Sequence, residues 1–166
     1  MTEIGRLLTA MITPFDQQGE VSYEQARKLA RALVDSGSDG LVIGGTTGES
    51  PSMSDEEKLR LFGEVKEAVG ESTAVVAGTT DNNHRKSVEL SKEAEQIGVD
   101  ALLLTVPAYN KPQQEGLYQH FKTIAEAVPV DQILYNVPGR TACDMLNETV
   151  ERLADIPNII GIKDAT

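Results

Sequence analysis

"GSDGLVI" (residues 37–43) and "GVDALLL" (residues 98–104) are one phrase written twice. In each, a glycine closes a helical stretch, an aspartate follows two residues later, and a continuous apolar run begins close behind it. Glycine at a helix end takes up the left-handed conformation that other residues avoid. A short apolar run without alternation reads as a strand covered on both faces, the signature of a parallel sheet. The phrase therefore marks the seam where a helix hands over to the next parallel strand.

Working outward, the seam recurs. "LLTAMIT" (7–13), "GLVIGG" (40–45), "TAVVAGTT" (73–80), "DALLLTVP" (100–107), "QILYNVP" (132–138) and "IIGIK" (159–163) are the strand candidates. Their ends fall 27 to 34 residues apart, the size of one strand–helix unit. Between them, "SYEQARKLARALVDSG" (22–37) and "SDEEKLRLFGEVKEAVG" (54–70) carry helical spacing of Leu, Ala and Val. Both open on a predicted capping box, Ser22 with Gln25 and Ser54 with Glu57, and both close on glycine.

Six such units predict an α/β chain, as either a doubly wound open sheet or a (β/α)8 barrel. An open sheet usually carries a glycine-rich phosphate loop after its first strand. "TAMITPFDQQGE" (9–20) has no such pattern, and polar residues gather instead at the ends of several strands, as in barrels. A whole barrel needs roughly 250 residues, and this chain has 166. The expectation is a partial (β/α)8 TIM barrel of about six βα units. It would be one truncated domain over residues 1–166, lacking the last strands and a C-terminal helical region.

Composition excludes some partners. A formal net charge of -11 opposes nucleic acid and anionic membrane surfaces. Cys143 is the only cysteine, so no intrachain disulfide forms, which fits a reducing, cytoplasmic location. Cys143 itself reads as a small buried hydrophobe. The opening "MTEIGRLLTAMITPF" reads as a first strand rather than a signal peptide. His84 and His120 lie far apart in helical regions, read as surface positions, and suggest no metal site.

Chemistry gathers elsewhere. "GGTTGES" (44–50) follows the second strand, where glycines allow a tight turn whose N–H groups converge on an anion and Thr46 and Thr47 add hydroxyls. No Gly-Lys-Ser/Thr follows, so a small carboxylate suits it better than a triphosphate; the alternative is an ordinary strand-to-helix turn. Tyr135 sits in the fifth strand, where a buried hydroxyl needs a partner, and a satisfied core tyrosine is the plain alternative. Arg140, just beyond, offers a fork for a carboxylate or forms a surface ion pair. Tyr109 stands in the loop after the fourth strand. Lys163 ends the sixth. A lysine in a buried strand lowers its desolvation cost by losing its proton, which also makes it a nucleophile; the alternative is a strand-end lysine reaching solvent.

Taken together, "TPF" (13–15), "GTTGES" (45–50), "AGT" (77–79), "QEGLYQHFKTIAE" (114–126), "QILYNVPGRT" (132–141) and "NIIGIKDAT" (158–166) resemble the dihydrodipicolinate synthase family. That family belongs to the pyruvate-dependent Schiff-base aldolases, with N-acetylneuraminate lyase. The resemblance covers essentially the whole chain. It implies a lyase of lysine and diaminopimelate biosynthesis that condenses pyruvate with L-aspartate 4-semialdehyde. Lys163 would form the imine with pyruvate, with no other cofactor. Gly45, Thr46 and Thr47 would hold the pyruvate carboxylate. Tyr135 would shuttle protons, relayed through Thr46 and through Tyr109, whose counterpart reaches into a neighbouring subunit's site. Arg140 would bind the semialdehyde carboxylate and favours the synthase over the neuraminate lyase branch.

Two departures set further expectations. Lysine-responsive members of the family carry histidines, a glutamate and an extra tyrosine where this chain has Asp55, Lys58, Lys86 and Ala108. Two cations there would repel lysine, so weak or absent lysine inhibition is expected. The chain also stops after its sixth strand, so exposed edges predict self-association, with a homo-oligomer, a dimer first, as the expected form. The competing reading is a catalytically impaired half-barrel scaffold.

Overall fold

The structure, a computed structural model, describes residues 4–166. The start of the N-terminal segment, residues 1–3, lies outside the described residues. The chain divides into two units. The first runs up to Gly78 and takes in Glu93–Ala101; the second holds Thr79–Lys92 and Leu102–Thr166.

The first unit contains β1 (Leu8–Ala10), α1 (Tyr23–Asp35), β2 (Gly40–Ile43), a 3-10 turn at Ser50–Ser52, α2 (Asp55–Val69) and β3 (Ala74–Gly78). Its strands lie in chain order and pair in parallel, with Ala10 opposite Val42 and Val42 opposite Val76. Every residue of β2 and β3 is buried, as the unbroken apolar runs require. Leu61, Phe62 and Val65 of α2 and Ala26 and Ala30 of α1 are fully enclosed. Outside that core, Arg27 pairs with Glu64, and the Arg60 guanidinium lies 3.9 Å from the centre of the Tyr23 ring.

The repeated aspartates do equivalent work. The Asp39 carboxylate accepts the backbone N–H groups of Arg6 and Leu7, both at 2.8 Å. Asp100 accepts the N–H of Val75 and an ion pair from Lys66, again at 2.8 Å. Each carboxylate thus ties the entry of one strand to its neighbour.

α3 (His84–Ile97) and β4 (Ala101–Thr105) carry the chain between the units. The second unit continues with α4 (Gln114–Ala127), β5 (Asp131–Asn136), α5 (Pro138–Thr141), α6 (Asn147–Ala154) and β6 (Ile159–Asp164). Its strands follow chain order, and β5 pairs with β6 in parallel after an irregularity at Gln132/Ile133. Leu102, Leu104, Leu117, Phe121, Ile124, Leu134 and Leu153 form its core. The Asn158 amide donates to the carbonyls of Ala125 and Val128, closing the end of α4 just before β6 begins.

Three local expectations are corrected. Ser54 and Glu57 form the full reciprocal capping box, but Ser22 makes no side-chain cap bond. β1 covers three residues rather than seven: past Ala10 the Met11 N–H still donates to the Val42 carbonyl, while the Thr13 hydroxyl donates to the Gly48 carbonyl. β6 is not a buried strand: Ile159 is buried and everything after it is exposed.

Candidate active site

In the first unit, the residues after β2 form a β-turn closed by the Gly48 N–H donating to the Gly45 carbonyl at 3.1 Å. Thr46 and Thr47 are its central residues, and both are exposed. Among the described residues, neither of their amides and neither hydroxyl makes a hydrogen bond. Gly44 enters the turn at a φ of 64°, which few residues other than glycine adopt, and Glu49 leaves it at 53°. Unspent N–H donors at the tip of a turn attract a small anion. The amides left free are the ones that the carboxylate nest expected from "GGTTGES" would use.

In the second unit, Tyr135 and Lys163 are register partners on β5 and β6. Residues opposite each other project from the same face, and the Lys163 amine lies 4.3 Å from the centre of the Tyr135 ring. Tyr135 is 6% exposed, yet its hydroxyl bonds to no protein group among the described residues, so it is not the satisfied core tyrosine of the plainer alternative. Lys163 corrects the expectation of a desolvated amine. It is exposed and in no ion pair among the described residues. The apolar run before it suggested burial, but β6 has a strand on one side alone.

Arg140 sits on α5 directly after β5, exposed and in no ion pair among the described residues, so the surface-pair alternative fails. Its platform is tied together by side-chain hydrogen bonds. The Asn136 amide donates to the Asp144 carboxylate at 2.7 Å, and its oxygen accepts the Met145 N–H. The Thr141 hydroxyl donates to the Cys143 carbonyl at 2.8 Å. These two scaffolding roles were missed from sequence. Both residues stand in the "NVPGRT" stretch, but their partners are set by the loop's fold rather than by local periodicity.

Tyr109 is 92% exposed and held at a φ of 73°, a conformation that costs a non-glycine residue on the order of 1 kcal/mol. The Asn82 side chain fixes the preceding residue by accepting the Ala108 N–H at 2.9 Å. Lys58 is buried and ion-paired with Asp55 at 3.1 Å, while Lys86 is exposed.

Cys143 is buried as expected, its thiol pushed up by burial and donating to the Pro112 carbonyl. His84 is exposed, but His120 departs from the surface reading. Its Nε2 is enclosed without a partner among the described residues, and burial lowers the imidazole to about 4, aided by His84. No helix among the described residues is long and apolar enough to cross a membrane.

The sequence profile of the Dihydrodipicolinate synthetase family matches residues 3–166. The chain belongs to that family. A 4-hydroxy-tetrahydrodipicolinate synthase of Dehalococcoides mccartyi is 60% identical over 166 residues, which is 100% of this chain and 56% of the relative. A crystal structure of dihydrodipicolinate synthase from Bacillus anthracis aligns with a TM-score of 0.96 at 48% identity, over 99% of this chain and 56% of that one. The chloride-inhibited synthase of Acinetobacter baumannii complexed with pyruvate aligns equally well, with a TM-score of 0.96 at 46% identity, over 99% and 56%. The fold is thus α/β, with six strands in chain order that match part of the (β/α)8 barrel of dihydrodipicolinate synthase. The chain spans a little over half the length of the relatives it matches.

Proposed function

We propose that this chain carries the Schiff-base chemistry of a 4-hydroxy-tetrahydrodipicolinate synthase, a lyase condensing pyruvate with L-aspartate 4-semialdehyde. The observation that supports this most is the register pairing of Lys163 with Tyr135, the amine 4.3 Å from the ring centre. The Lys163 amine adds to the keto carbon of pyruvate, and Tyr135 gives a proton to the departing hydroxyl as water leaves. The resulting imine loses a methyl proton to become an enamine, whose carbon attacks the aldehyde carbon as its oxygen takes up a proton; the amino group of the semialdehyde then displaces the Lys163 amine from the imine carbon, closing the ring and freeing the enzyme. The family resemblance assigns the pyruvate carboxylate to Thr46 and Thr47, with Gly45 allowing the turn. Arg140 takes the semialdehyde carboxylate through its fork. No cofactor beyond the covalent imine is required.

The proposal keeps residues 1–166 as one catalytic domain, since the family match runs through both units. It includes a homo-oligomer, a dimer first, in which Tyr109 joins the proton relay of a second copy. A tyrosine 92% exposed and held in a left-handed conformation supports that role. A cytoplasmic place in lysine and diaminopimelate biosynthesis follows from the same reading. Lysine inhibits weakly or not at all; half-inhibition at submillimolar lysine contradicts this.

Steady-state condensation tests the assignment. Arg140→Ala should raise KM for the semialdehyde by about tenfold or more while pyruvate still forms its imine. An unchanged KM removes Arg140 from the site. Cleavage of N-acetylneuraminate instead of condensation would move the chain to the lyase branch. The exposure of Lys163 favours a second reading, a scaffold that keeps the family's residues without turnover. Failure of pyruvate to modify Lys163 would select it.

A further inference from the structure

We propose that Thr13 is a positioning residue for the carboxylate-binding turn, with Gly78 as the opposing jaw of a clamp. The Thr13 hydroxyl donates to the Gly48 carbonyl at 2.6 Å, across 35 residues of sequence, and Thr13 is 4% exposed. The turn lies so close to the end of β1 that a Cβ on Gly48 would stand 3.1 Å from the Met11 carbonyl oxygen and 3.2 Å from the Thr13 hydroxyl. On the other side, a Cβ on Gly78 would collide with the Gly44 carbonyl, 2.7 Å from its carbon, and stand 3.0 Å from the Gly45 nitrogen.

The turn is therefore held at both its entry and its exit, while the Thr46 and Thr47 amides at its tip stay free of protein partners among the described residues. Donors fixed before the anion arrives cost no reorganisation when it binds. A loose turn would spend its donors on its own carbonyls or on water. The Thr13 bond sets the plane of the peptide leaving the turn, so its loss is felt as weaker carboxylate capture rather than as lost imine chemistry.

This inference rests on the proposed function, and one experiment separates the two. Imine formation is trapped by borohydride over a range of pyruvate concentrations, and in parallel with hydroxyacetone, a carbonyl probe without a carboxylate. For Thr13→Val, the half-saturating pyruvate concentration should rise about tenfold, the loss of one buried hydrogen bond, while hydroxyacetone trapping stays at the wild-type level. Thr13→Ser, which keeps the hydroxyl, should restore wild-type pyruvate dependence. Unchanged pyruvate dependence in Thr13→Val overturns the positioning role and leaves the proposed function standing. Equal loss with both probes assigns Thr13 to stability alone and also overturns it. No trapping of pyruvate by the wild type overturns both. Should Thr13→Val fail to fold by circular dichroism, Thr13→Ala carries the same comparison.

Discussion

Tyr135 and Lys163 face each other because two strands share a register, and the proposed function makes Tyr135 the proton carrier for the Lys163 amine. General acid–base help of this kind is worth about a hundredfold or more. Tyr135→Phe should therefore slow imine formation by about 100-fold, measured as the rate of trapped adduct, with the fold retained because only a hydroxyl is removed. An unchanged rate would assign the proton step elsewhere. His120 makes a different prediction. Its folded value of about 4 lies below the unfolded 6.5, so the unfolded chain binds the extra proton first. Stability is full above pH 6.5 and falls as pH drops toward 4, by up to about 3 kcal/mol. His120→Gln should flatten that fall in denaturant titrations at pH 7, 5.5 and 4. A slope identical to wild type removes His120 as its cause.

At the scale of elements, the two capping boxes look alike in sequence and differ in the fold. Ser54→Ala should cost about 1 kcal/mol in chemical denaturation, since its hydroxyl and the Glu57 carboxylate satisfy two orphan N–H groups. Ser22→Ala should cost close to nothing, because no cap bond is lost. Equal costs would mean that the motif rather than the bond stabilises α1. The Ser22–Gln25 spacing was legible, but the cap depends on the backbone angle entering the helix, which spacing does not carry. The strands from β2 to β5 were legible because continuous apolar runs leave few alternatives to burial on both faces. β6 was misread for the same reason. Its run is apolar, but Ile160 and Ile162 are 46% and 39% exposed, since burial depends on what lies beside a strand.

For the whole molecule, the doubled "G-x-D" phrase carried the α/β architecture, and the two aspartates make matching strand-entry bonds. The candidate groups were legible because each lies at or shortly after the C-terminal end of an apolar run. The hydrogen bonds near them, Thr13 on Gly48 and Asn136 on Asp144 and Met145, were not, because they join residues brought together by folding. Light scattering should report an oligomer, a dimer first; a monodisperse monomer would contradict that expectation.

The proposed chemistry turns on Lys163 acting as the Schiff-base nucleophile for pyruvate. Reduction of the protein–pyruvate mixture with borohydride, followed by peptide mass spectrometry, tests it most directly. A reduced pyruvyl adduct on the peptide containing Lys163, absent in Lys163→Ala, is the predicted result. An unmodified Lys163 at saturating pyruvate would rule that role out.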